Sequence, residues 1–189
     1  MFIGHVDTGN SQFNLEKKMD DENNEKSEKI YRIMDSKVDA LGAIHEVLSL
    51  AKTSIAIFDV SPVTMREREY GRPATIELLR QLMLNNRSRK IRIALHETNG
   101  IEGELPRLMT LMGDFSTQLF IQRTVDDARN VQDVMLIADD DAVWRKPVAS
   151  HPRSIVTIHD AADAEPYIAR FEEIWLLTEY AVSSRGTGL

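Results

Sequence analysis

The chain has 189 residues, 42% hydrophobic and 28% charged, with a formal net charge of −7. That composition supports one domain with a substantial core and an appendage. The acidic balance argues against broad electrostatic attraction to nucleic acid or anionic lipid, and the absence of cysteine excludes disulfides, thiolate zinc sites and cysteine nucleophiles.

No apolar run reaches the roughly 18 residues of a membrane-spanning helix. The start, Met1-Phe2-Ile3-Gly4-His5, has neither the basic residues nor the long apolar stretch of a signal peptide. The expectation is a cytoplasmic protein without a membrane span.

Residues 1–36 form a polar segment. Between Glu16 and Lys29 its one large apolar residue is Met19, too little burial to offset the entropy of ordering. A disordered or loosely helical tail is expected, either a solvated extension or a linker. The domain is then residues 37–183, with 184–189 a flexible end.

Val38, Leu41, Ile44, Leu48 and Ala51 fall at helical spacing. Ser54 to Val60 is a short apolar run that reads as a buried strand, and Ser61-Pro62 turns it. Pro73 opens a helix with Ile76, Leu79, Leu82 and Met83 on one face. Ile91, Ile93 and Leu95 mark a second strand, and Leu105, Leu108, Leu111 and Met112 a helix with Gly113 as its stop. Leu119 and Ile121 mark a third strand, Val131–Ala138 a fourth. Asp139-Asp140-Asp141 turns into Ala142-Val143-Trp144, and Ser154–His159 is the last strand. A C-terminal helix places Ile168, Phe171, Trp175 and Val182 on one face. This order predicts an α/β fold with a mixed, largely parallel sheet flanked by helices on both faces.

Several phrases together resemble one catalytic half of the phospholipase D superfamily: Ala51-Lys52-Thr53-Ser54-Ile55-Ala56-Ile57, Lys90–Leu95, Val131–Asp139, and Phe171-Glu172-Glu173-Ile174-Trp175. The resemblance spans roughly 38–178. It implies the phospholipase D-like half fold, and by analogy with single-half members a homodimer. In that family a strand carries H-x-K-x-x-x-x-D, with His as nucleophile and Lys on the phosphate. Here one register places Val131 at His, Asp133 at Lys and Ala138 at Asp. The other places Gln132 at His, Val134 at Lys and Asp139 at Asp. The family's downstream Gly-Ser corresponds in the first register to Arg145-Lys146. No phosphohistidine forms on Val or Gln, and a carboxylate at Asp133 repels a phosphodiester. No catalytic residue carries over.

Candidate binding residues remain. Asp59, Ser61, Thr64, Arg66, His96 and Glu97 lie at or after the carboxyl ends of the first two strands, the edge where open α/β sheets hold ligands. Their plain alternative is the polar character of any strand end. Arg145 and Lys146, near the degenerate strand, could hold a phosphate-bearing small ligand, or form a surface loop balancing the three aspartates. Those aspartates lack the Gly and distal Glu of a calcium loop, and no histidine pair has metal-ligand spacing. No metal or cofactor is expected. Two functions follow: a non-catalytic binding or protein-interaction module, as a homodimer or with a partner protein, or a hydrolase or transferase for a small phosphorylated molecule with its site relocated to His96 and Glu97.

Overall fold

A computed structural model describes residues 28–182. In chain order the elements are β1 (Ile30–Met34), α1 (Lys37–Leu50), β2 (Ser54–Asp59), α2 (Pro62–Glu67), α3 (Pro73–Asn85), β3 (Lys90–Leu95), α4 (Ile101–Glu104), α5 (Pro106–Asp114), β4 (Leu119–Thr124), a 3-10 turn (Asp126–Asn130), β5 (Val134–Ala138), β6 (Ala142–Lys146), β7 (Ser154–Ile158), α6 (Ala161–Leu176) and β8 (Thr178–Glu179). All the strands join one sheet in the order β1-β7-β6-β5-β2-β3-β4-β8. This is a mixed α/β fold.

Local chemistry sets the element starts. Ser36 caps α1 by accepting from the Asp39 backbone N–H, and Asp160 caps α6 by accepting from that of Asp163. Pro62, Pro73 and Pro106 each open a helix, where the missing N–H costs no intrahelical bond. The strands β2 and β5 are buried almost throughout, so they read as unbroken apolar runs rather than alternating ones.

Alternation divides the core in two. Ile55, Ile57, Ile91, Ile93, Leu136 and Trp144 face the layer formed by α1, α3 and α5. Ala56, Phe58, Ala94, Met135, Ile137 and Val143 face α6 through Ala164, Phe171 and Ile174. The sheet therefore has helices on both faces.

Parallel pairing is confined to β2–β3 and β3–β4, a correction to the largely parallel sheet expected. The pairs β1–β7, β7–β6, β6–β5, β5–β2 and β4–β8 are antiparallel. Parallel neighbours need a long crossover. Of the long helical connections in this sheet, only those through α2–α3 and α4–α5 join strands that are neighbours.

Three further expectations are corrected. Residues 30–34, assigned to the polar tail, form strand β1 on β7; Tyr31, Arg32 and Ile33 are exposed, so backbone pairing holds the strand and its sequence shows no clear amphipathic pattern. Residues 1–27 and 183–189 lie outside the described residues. Strand β5 begins at Val134, not Val131, because the 3-10 turn occupies the chain to Asn130. The last helix ends at Leu176, and β8 then pairs with β4. The chain thus rounds the sheet edge, and Val182 packs on the core opposite Phe171.

Asp139 ties the β5–β6 turn to the start of β2. Its carboxylate accepts from the backbone N–H groups of Lys52, Thr53 and Ser54 and from the Thr53 hydroxyl, at 2.7–2.9 Å. Its φ of 54° is left-handed, a conformation Asp tolerates in turns. Burial would raise its pKa, but the donors of Ser54, Thr53 and Lys52 together outweigh it and lower the value from 3.8. A lowered folded pKa stabilises the fold above the unfolded value, and that contribution fades as pH falls through the folded one. Asp139→Ala is expected to lower stability by about 2–3 kcal/mol in urea unfolding at pH 7. Asp139→Asn should remove part of the stability lost below pH 3.8.

Candidate functional site

Two clefts open at the edge where β2 and β3 end and β5 begins, on opposite faces of the sheet. Strand β6 supplies both. Val143 packs toward α6 and Trp144 toward α1, so Arg145 and Lys146, next along the strand, also part.

The α6-side cleft, about 480 Å³, is lined by Val131, Asp133, Arg145, Tyr167 and Arg170 among others. Val131 and Asp133, which the first register sets against the family's His and Lys, are among its lining residues. Asp133 is held by Arg170 through two hydrogen bonds of 2.8 and 2.9 Å, which also holds the Arg170 pKa above its usual value. Arg145 stacks over Tyr167 at 4.4 Å. Ala138 is buried in the other core.

His96 borders this region without an open ring nitrogen. Its Nε2 lies 2.7 Å from the Val131 carbonyl and its Nδ1 2.8 Å from the Thr124 hydroxyl. A carbonyl only accepts, so Nε2 donates to Val131, while Nδ1 is engaged by the Thr124 hydroxyl. The ring meets Phe58 edge-on at 5.0 Å. Glu97 turns outward to Arg129, at 2.8 Å.

On the other face Asp59 is 1% exposed. Arg68 Nη1 reaches both its oxygens, at 2.6 and 2.7 Å, while the Thr64 hydroxyl and the Val60 N–H donate to Oδ1. Burial pushes the Asp59 pKa up against the opposing pull of Arg68, Thr64 and Val60. Burial and the Asp59 charge raise that of Tyr70, which lies beside this pair. Above it is a cleft of about 380 Å³, bounded by Lys37, Ile44, Glu67, Arg68, Trp144 and Lys146 among others. The Arg68 guanidinium lies 5.9 Å from the Trp144 ring. Burial and the Arg68 charge lower the Lys146 pKa.

The structure brings Asp59, Ser61 and Thr64 together: Ser61 caps α2 and its N–H is returned a bond by Thr64. Lys146 joins the cleft above them. Arg66 points away to Glu104, at 3.1 Å and 57% exposed. The side chains of His96 and Glu97 do not join this group, although their backbone N–H groups bond to Asp59 and Val60. Arg145 stands in the α6-side cleft.

The residues overlooked were Arg68, Lys37 and Arg170. Helical phase could have found the first. Pro62 and Met65 are the buried residues of α2, and Arg68 follows Met65 by three positions on the same side, whereas Arg66 is out of phase. Among the described residues no three of His, Asp and Glu gather as a metal site, and no helix is long and apolar enough to cross a membrane.

Comparison with known proteins gives a family and a fold. The family described as Domain of unknown function (DUF7931) matches residues 36–185. No curated protein matches significantly. Among solved structures, Nuc, a phospholipase D family member from Salmonella typhimurium, is 15% identical with a TM-score of 0.55, over 82% of this chain and 100% of Nuc. NucT from Helicobacter pylori is 15% identical with a TM-score of 0.53, over 80% and 98%. The archaeal chromatin protein TrmBL2 is 16% identical with a TM-score of 0.57, over 90% of this chain and 64% of TrmBL2. The shared feature is the phospholipase D-like fold.

Removing one member of a buried ion pair strands the other charge. Arg68→Met is therefore expected to cost about 3–5 kcal/mol in guanidinium unfolding. Arg66→Ala, at an exposed pair, should stay within about 1 kcal/mol.

Proposed function

From a chain that belongs to the family described as Domain of unknown function (DUF7931), we propose a non-catalytic phospholipase D-like domain that works as a binding or protein-interaction module. The observation that carries this reading is the occupancy of the α6-side cleft. Its acidic side chain at the motif, Asp133, is committed to Arg170. The nearest imidazole, His96, spends both nitrogens on Thr124 and Val131. A nucleophile or general base needs a free lone pair within reach of substrate; His96 has none, and Asp133 is oriented by its ion pair with Arg170.

The same contacts weigh against an enzyme built on His96 and Glu97, since Glu97 is drawn outward by Arg129. Arg145 makes no ion pair with a described residue and is the donor for a phosphate-bearing ligand in this cleft. A partner protein or a second copy of the chain is the macromolecular side of the proposal, by analogy with single-half members of the fold. TrmBL2 is described as showing a novel mode of DNA binding. For this chain a net charge of −7 opposes a phosphate backbone, whose binding draws on displaced counterions and many cations.

The purified chain is expected to give no turnover of bis(4-nitrophenyl) phosphate or a short single-stranded oligonucleotide above the protein-free rate. Hydrolysis that is abolished by Arg145→Ala but retained in Arg66→Ala would overturn the reading. Hydrolysis abolished by His96→Ala would favour the relocated enzyme instead.

A further inference from the structure

The cleft between α1, α2 and β6 holds more unpaired donors than its walls need. Lys37 and Lys146 have no carboxylate partner among the described residues, and Arg68 uses only Nη1 on Asp59, leaving Nε and Nη2 without a protein acceptor there. The Trp144 indole N–H, in the same wall, is buried without an acceptor. Buried donors in a folded protein are normally satisfied. The half-used guanidinium beside Trp144 marks a place where a further acceptor fits.

Charge limits what that acceptor is. Asp59 already neutralises Arg68 beneath the cleft. Of the rest, the two lysines face one unpaired carboxylate, Glu67, so the lining has a single net positive charge. A doubly charged phosphate would leave one negative charge uncompensated, while a carboxylate is balanced. The remaining lining, with Leu41, Ile44, the Trp144 ring and Pro152, is apolar, and the volume of about 380 Å³ suits a small molecule.

We propose that this cleft binds a small monocarboxylate with an apolar body, its carboxylate held by Arg68 and Lys146 and its body laid along Ile44 and Trp144. Burial, and then the neighbouring Arg68 charge, already disfavour the charged form of Lys146, and an anion held by both cations relieves the repulsion between them. The site lies on the face opposite Asp133 and Arg145, so it stands whether or not the α6-side cleft is catalytically inert.

Isothermal titration of the full chain with benzoate and hexanoate tests it, with benzamide, hexanol and inorganic phosphate as comparisons. Saturable binding of the carboxylates is expected, at least tenfold tighter than phosphate or the uncharged analogues. Lys146→Met should weaken it tenfold or more, and Lys37→Ala severalfold, with both variants checked for folding by circular dichroism. Arg145→Ala, in the other cleft, should leave it unchanged. Absence of carboxylate binding to the folded chain overturns the proposal, as does binding that Lys146→Met leaves intact, binding that Arg145→Ala abolishes, or phosphate binding as tight as the carboxylates. None of these measurements depends on turnover, so their failure is separate from a failure of the non-catalytic reading.

Discussion

Adjacent residues of a strand cannot face the same side of a sheet, and the chemistry of this protein is distributed by that constraint. Strand β6 carries Val143, Trp144, Arg145 and Lys146 in succession. The first two are fixed in opposite cores, so the two cations are sent to different clefts. A pair that looks like one basic patch in the chain becomes two separate donors. The same alternation on β2 puts Phe58 under His96 and Asp59 under Arg68.

The two faces then meet their charges differently. On the α6 side, Asp133 is satisfied by Arg170 close to the surface, where a side chain 45% exposed still has water nearby. On the other side Asp59 has no water to fall back on. Its carboxylate is held by Arg68, a hydroxyl and a backbone N–H, the condition under which a buried pair tolerates its desolvation. That commitment fixes the position of Arg68 and leaves the rest of its guanidinium facing the cleft beside Trp144 and Lys146.

The core and the turns also account for why the motif positions hold what they do. Ala138 packs in the core against which α1 lies, and Asp139 closes the turn onto β2. Both positions, whichever register is used, serve the fold. His96 likewise joins β3, β4 and the segment leading into β5 through Thr124 and Val131. Polar residues at this edge are used largely to connect strands.

The α/β class, most helices and the central strands were legible because each rests on a local cause: apolar periodicity, a proline at a helix start, an unbroken run such as Ile55–Phe58. Gly113 misled, since it lies inside the last turn of α5; a glycine permits a helix stop but does not compel one. Asp59 was legible as a candidate from its place at the sheet edge, and Lys146 from its basic stretch near the fourth strand. Arg68 was hidden among alternating charges, and only the burial of Met65 separates it from Arg66. Strand β1 was not legible, because its partner β7 lies more than 100 residues away and holds it by backbone bonds. By itself, then, the sequence determined most helices and the central strands, and that neither register places a histidine and a lysine at the family's positions, which follow from local pattern and residue identity. Tertiary structure decided pairing direction, the face each charge occupies and which donors stay unpaired, since those depend on contacts between segments distant in the chain.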